Sequence, residues 1–181
     1  IVDYTDRTTC IIFGDGGGAV LFEPSTNEFG WEDEYFRSNG SERMALRILS
    51  GGSLHPTTQE TFDQGWHNIH QEGKVVFKYA VSEMANVAEK IMKRNDLEDG
   101  KIDYLIPHQA NKRIIDATAN RLDLSEDKVL MNIDRYGNTT AATLPLLLYD
   151  YESKFKKGDK LVFAAFGGGF TWGAAHLTWA Y

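Results

Sequence analysis

The sequence predicts an α/β fold with a parallel core. Three observations carry this expectation. Between Gly73 and Asn95, apolar residues recur at three- and four-residue spacing: Val76, Phe77, Ala80, Val81, Met84, Val87, Ala88, Ile91 and Met92. That is the period of a helix with one face in a core. From residue 73 onward the order reads helix, strand, helix, strand, helix, strand, strand, and such alternation implies parallel strands joined by crossover helices. One His and one Asn, His108 and Asn138, stand where short apolar strands hand over to helices. Open α/β sheets place reacting groups there, at the carboxyl ends of strands.

Taken in order, Cys10–Phe13 is a short apolar run and reads as a buried strand. A glycine-rich stretch, residues 14–18, follows, then a second strand over Ala19–Phe22, then a loop over Pro24, Ser25, Thr26 and Asn27. Residues 28–72 show no sustained period, apart from one strand at Met44–Leu49, and read as a long loop excursion. The helix from Gly73 carries Lys90, Lys93 and Arg94 toward its C-terminal end, where cations suit the helix dipole. Ile102–Ile106 reads as a strand, Gln109–Leu122 as a helix and Lys128–Ile133 as a strand. Thr139–Lys157 reads as a third helix stopped by Gly158, with Pro145 near its first turns, where a missing N–H costs least. Lys160–Phe166 and Gly173–Tyr181 read as two strands joined through a glycine turn and paired antiparallel.

The chain has 181 residues, 42% hydrophobic and 25% charged, enough for one domain with a core or for half of a larger one. A net charge of −7 argues against general nucleic-acid binding, which needs a basic footprint. No stretch approaches the length of a membrane-spanning helix. The single cysteine, Cys10, excludes an internal disulfide and a cysteine metal site, and fits a reducing compartment. The first residues, Ile1-Val2-Asp3-Tyr4, read as the middle of a domain, with a piece expected upstream.

Several constellations invite chemistry. Gly14, Gly16 and Ala19 fit a dinucleotide fingerprint, but the motif requires a helix next, and residues 19–24 are strand-like and end in Pro24. The alternative is a tight chain crossing, where glycine permits close backbone approach. His55, His67 and His70 lie in a stretch without helical period, so no metal site is expected. His108 and Asn138 can supply two neutral N–H donors to one oxyanion or enolate, or form the orienting part of a Cys-His-Asn arrangement. Phe166-Gly167-Gly168-Gly169-Phe170 can aim a backbone N–H into a cavity, or be only a glycine hairpin.

These pieces, in this order, resemble the C-terminal part of the β-ketoacyl-acyl-carrier-protein synthase III family, the initiating condensing enzymes of bacterial fatty-acid synthesis. The matching text is Thr5–Thr9, Phe13–Gly16, Gly73–Val81, Ile106–Asn111, Tyr136–Thr139 and Phe166–Gly173. The resemblance implies a thiolase-like fold of two similar halves. Residues 1–27 would then hold the last strands of the N-terminal half, 28–72 the loop excursion and 73–181 the C-terminal half. It implies an acyltransferase that takes an acyl group from a short acyl-CoA onto a cysteine and condenses it with malonyl carried on acyl-carrier protein.

By resemblance, His108 and Asn138 match two members of the catalytic triad, and Gly168 the glycine whose N–H holds an oxyanion. Arg7, Gly73, Phe77, Ala110, Asn111, Arg113 and Phe166 match the coenzyme A channel and acyl pocket. Gln109, Lys112 and Arg113 match the carrier-docking segment. Lys74 stands where relatives carry Asn. No cofactor beyond the CoA thioester substrate and no metal is implied. The implied partners are acyl-CoA, malonyl-acyl-carrier protein, the missing first half and a second copy in a homodimer, in the cytoplasm.

Cys10 does not match the nucleophile. It sits in an expected buried strand and should behave as a small hydrophobe. The catalytic cysteine is expected upstream of Ile1, and the chain alone is expected to be inactive. The open alternatives are another thiolase-fold condensing enzyme, of secondary metabolism, and a non-catalytic scaffold subunit.

Overall fold

The computed structural model describes residues 1–25 and 29–181. The loop expected through Thr26 and Asn27, and the boundary expected between residues 27 and 28, lie outside the described residues. The described strands are β1 (Gly30–Ser38), β2 (Leu46–Ile48), β3 (Ile69–Gln71), β4 (Tyr104–Pro107), β5 (Lys160–Gly167) and β6 (Thr171–Thr178). The α-helices are α1 (Gln59–Asp63), α2 (Gly73–Arg94), α3 (Lys112–Arg121), α4 (Ile133–Tyr136) and α5 (Thr143–Tyr151).

A four-stranded sheet runs β1-β6-β5-β4, and β2 and β3 form a separate antiparallel pair. β4 and β5 are parallel, as the intervening helices require, and β5 and β6 are antiparallel across the glycine turn. Alternation along β5 divides the core. Val162, Ala164 and Phe166 join Met84, Ile91 and other residues of α2 on one face. Leu161, Phe163, Ile106 and Leu147 of α5 pack on the other. Each fully buried side chain of this size is worth about 2 kcal/mol in apolar area removed from water. No helix among the described residues is long and apolar enough to cross a membrane.

Three expectations are corrected. First, residues 10–13 and 19–22 are not strands. Backbone bonds from Thr9 and Cys10 N–H to Asp6 O, and from Ile12 N–H to Thr9 O, wind residues 6–12 into turns. Among the described residues no strand lies alongside to offer a ladder, apart from one bridge between Phe13 and Asn138. Cys10 accordingly sits half-buried in a turn, not in a buried strand.

Second, residues 28–72 are not simply a loop excursion. β1 pairs with β6 from Gly30↔Thr178 to Ser38↔Thr171 and forms the edge of the main sheet. Its GWEDEYFRS sequence is charged because it is paired on one side only, and charge suits a sheet edge.

Third, the strand expected at Lys128–Ile133 is reduced to one parallel bridge between Leu105 and Val129. Leu130 N–H donates to Leu105 O, and then the ladder stops. The next amides, Asn132 and Ile133, donate to the side-chain Oε1 of Gln109 at 3.0 and 3.1 Å. A side chain has taken the place of a neighbouring strand.

Candidate active site

His108 follows β4 directly, and its N–H donates to Ala164 O at 2.8 Å, so the sheet ladder fixes its backbone. Its Nδ1 lies 2.7 Å from Thr143 Oγ1 at the start of α5. Burial alone pushes its pKa from 6.5 down to about 4, so the ring is neutral at physiological pH. A neutral ring is what N–H donation without a competing positive charge requires. The folded pKa lies below the unfolded one. The stability this ring contributes is therefore intact above about pH 6.5 and is lost as pH falls toward 4. A histidine NMR titration of the complete enzyme should find His108 still neutral at pH 6; a midpoint at or above 6.5 would contradict this burial.

Asn138 is held at three points. Its N–H donates to Ile12 O at 2.9 Å and its carbonyl accepts from Gly14 N–H at 3.0 Å. Its side-chain Oδ1 accepts from Thr140 N–H at 2.9 Å. Only the amide oxygen can accept that bond, so Nδ2, with its two hydrogens, is left for the cavity. Thr140 turns its N–H back by adopting φ 54°, a conformation that β-branched residues avoid. The glycine stretch serves this clasp. A Cβ on Gly14 would stand 2.2 Å from Tyr136 O, so the chains approach only because residue 14 has none. Gly137 holds φ +67° and brings Asn138 against Ile12. The close-crossing reading of residues 14–18 therefore accounts for Gly14, and among the described residues the next element is β1, not a helix.

His108, Asn138 and Gly168 line one cavity of about 1440 Å³. Gly73, Phe77, Ala110, Asn111, Arg113 and Phe166 line it as well. Phe77 and Gly73 come from the first turns of α2. Asn111 is the N-cap of α3 and accepts Arg113 N–H at 2.9 Å. Arg113 lies over the Phe77 ring at 4.9 Å, exposed. Phe166 is buried between Phe170 and Trp172. Among the described residues four cations, Arg37, Arg47, Lys74 and Arg113, line the cavity, and no Asp or Glu does. On a chain of net charge −7, that concentrates positive potential where a polyanion would enter.

Two of the expected site residues are placed elsewhere. Arg7 is exposed and does not line the cavity. The Asp6 carboxylate accepts from Thr8 N–H and Oγ1, and this turn presents Thr8 to the cavity instead. Gln109 is fully buried and cannot touch a docking protein. Its Nε2 donates to Pro107 O at 2.9 Å and to Leu130 O at 3.4 Å, while Oε1 holds Asn132 and Ile133. Lys112 is exposed but pairs with Asp116, one helical turn on, at 2.8 Å.

The histidines do not converge: His67 stacks on Phe62 and His55 meets Trp66 edge-on. Among the described residues no cluster of metal-ligating side chains forms. Sequence reasoning missed Thr143, Arg37 and Arg47. Thr143 offered a signal, a hydroxyl five residues after Asn138 at a helix start.

A family model described as 3-oxoacyl-[acyl-carrier-protein] synthase III C terminal matches residues 92–179. Another, 3-oxoacyl-[acyl-carrier-protein] synthase III, matches residues 1–40. The chain belongs to the 3-oxoacyl-[acyl-carrier-protein] synthase III family. It is 51% identical over 181 residues to β-ketoacyl-[acyl-carrier-protein] synthase III 1 of Bacteroides thetaiotaomicron, covering all of this chain and 54% of that protein. It is 52% identical over 179 residues to the synthase III of Porphyromonas gingivalis, covering 99% of this chain and 53% of that one. The solved synthase III of Pseudomonas aeruginosa superposes with a TM-score of 0.88 at 31% identity, over 99% of this chain and 55% of that one. That of Aquifex aeolicus gives 0.85 at 35%, over 98% and 54%. The fold is thus the family's thiolase-like α/β fold. The chain spans about half the length of the curated relatives it matches.

Proposed function

We propose that this chain carries the decarboxylating half of the active site of an initiating condensing enzyme of fatty-acid synthesis. The complete enzyme would join a short acyl group, delivered by coenzyme A, to malonyl on acyl-carrier protein. The observation that carries the reading is that His108 and Asn138, each tied at its rear atom, line one cavity with Gly168.

Malonyl thioester loses carbon dioxide, and the electrons of the broken C–C bond move onto the thioester oxygen as an enolate. Two N–H donors at that oxygen, Nε2–H of His108 and Nδ2–H of Asn138, stabilise the charge as it develops. The enolate carbon then attacks the acyl-enzyme carbonyl, to whose oxygen Gly168 N–H donates, and the cysteine thiolate leaves. The nucleophilic cysteine belongs to the other half. Cys10, in its turn on residues 6–12, does not line the cavity.

In this reading residues 73–181 form most of the C-terminal half, and β1 joins that half through β6. Val20, Leu21 and Phe22 are 53–85% exposed, and the first half would cover them. The cation-lined cavity suits the phosphates of coenzyme A and the malonyl carboxylate. A second copy, and a cytoplasmic site of action, belong to the same proposal.

Arg113 is proposed to meet both coenzyme A and the acidic carrier protein. Charge reversal, Arg113→Glu, should raise KM for malonyl-carrier about tenfold at low salt, with a smaller effect on acyl-CoA. Steady-state kinetics with each substrate varied in turn will show it. Equal losses on both substrates would remove the docking role. The reading as a whole is tested by giving the complete enzyme acyl-CoA and malonyl-carrier and looking for the 3-oxoacyl product; its absence, with both substrates bound, would refute it.

A further inference from the structure

Thr143, the first residue of α5, is 1% exposed and stands directly behind His108. Its Oγ1 lies 2.7 Å from His108 Nδ1 and 2.9 Å from Thr140 O. One hydroxyl has one hydrogen, so only one of these two acceptors can receive it. If Thr140 O takes it, Nδ1 must carry the imidazole hydrogen, and Nε2 presents a lone pair to the cavity. If Nδ1 takes it, the hydrogen of the neutral ring sits on Nε2 and points where a substrate oxygen can accept it.

Two observations favour the second arrangement. Thr140 O already accepts the backbone N–H of Thr143, so giving the hydroxyl hydrogen to the ring orphans no carbonyl. Nδ1 has no other donor among the described residues, whereas Nε2 makes no protein hydrogen bond and is not among the buried polar atoms without partners. A free histidine side chain also favours the Nε2–H form, so the hydroxyl works with that preference.

We propose that Thr143 is a positioning residue that donates its hydroxyl hydrogen to His108 Nδ1 and thereby makes Nε2–H the donor in the cavity. This rests on the enolate-donor reading of His108, and it adds the group that selects the tautomer. Thr140 contributes twice, since its N–H orients Asn138 and its carbonyl, satisfied by the α5 backbone, releases the Thr143 hydroxyl. One short segment, 138–143, then sets the hydrogen on both donors.

The test uses the complete enzyme with two variants. Thr143→Val keeps the shape and removes the hydroxyl; Thr143→Ser keeps the hydroxyl. Nitrogen NMR of the His108 ring at neutral pH should place its hydrogen on Nε2 in the unaltered protein. Thr143→Val should lower kcat for malonyl decarboxylation about 10- to 100-fold, the range seen when outer partners of metal-bound histidines are removed. KM should stay unchanged, and Thr143→Ser should restore kcat to within a few fold. A hydrogen on Nδ1, or an equal loss in the Val and Ser variants, or none in Val, would overturn the proposal. The enolate reading fails separately, through a His108→Ala variant that still decarboxylates, and the ring's tautomer is read without any turnover.

Discussion

Replacing either His108 or Asn138 by alanine in the complete enzyme is expected to lower malonyl decarboxylation by about 10²- to 10³-fold, while acyl transfer from coenzyme A to the cysteine is largely kept. The size follows from the loss of one preorganised donor to a developing oxyanion. It is a loss in kcat, because the oxygen carries full charge only as carbon dioxide leaves. Acyl transfer survives because its tetrahedral oxyanion is assigned to Gly168, at the end of β5, and not to His108 or Asn138. Release of labelled carbon dioxide measures the first step, and mass measurement of the acylated protein the second. Asn138→Ala carries a structural risk that is small on this geometry. The backbone bonds to Ile12 and Gly14 do not use the side chain, and the one bond lost is Thr140 N–H to Oδ1. If both variants decarboxylate normally, the pair is not the enolate site.

Gln109→Leu is expected to destabilise the complete enzyme by about 2–6 kcal/mol. Leucine nearly matches the volume but leaves Asn132 and Ile133 N–H without their acceptor, and each orphaned buried donor costs about 1–3 kcal/mol. The loss should appear as a lower urea midpoint with an unchanged slope. The amide clamps the end of β4, which carries His108, to the 130–133 segment that leads through α4 to Asn138. Activity should therefore fall with stability, without a selective rise in KM for the carrier. A selective rise in KM at unchanged stability would restore the docking role that the buried amide contradicts.

The contrast between α2 and Gln109 shows what the sequence could and could not convey. α2 was legible from Gly73 onward because its burial is periodic, and a period survives without knowledge of partners. β4 and β5 are legible because strands buried on both faces are continuously apolar, and β6 because Ala175, Leu177, Trp179 and Tyr181 alternate with Ala174, His176, Thr178 and Ala180. β1 was not, since GWEDEYFRS is paired on one side and keeps its charges in water. Gln109 reads in sequence as one more polar residue at an exposed helix start. Only the fold shows that α3 begins at Lys112, and that the Gln109 side chain turns inward to end a ladder. Residues 10–13 read as a strand for the same reason: Ile11, Ile12 and Phe13 are apolar, and pairing is a property of neighbours, not of a single run, so the turn bonds over residues 6–12 leave no trace in the sequence. Of the site, His108 and Asn138 are legible from their position at strand ends and Gly168 through the family resemblance, and the cavity gathers all three. Thr143 and the Thr140 carbonyl were hidden because their contribution lies in hydrogen-bond direction.

In the proposed mechanism one enolate oxygen sits between His108 Nε2 and Asn138 Nδ2. Its most direct test is a crystal structure of the complete enzyme with a malonyl thioester analogue that cannot lose carbon dioxide. The thioester oxygen is expected within about 3.2 Å of both nitrogens, with Thr143 Oγ1 still behind the imidazole. A thioester oxygen bound instead at Gly168, with neither nitrogen in reach, would contradict it.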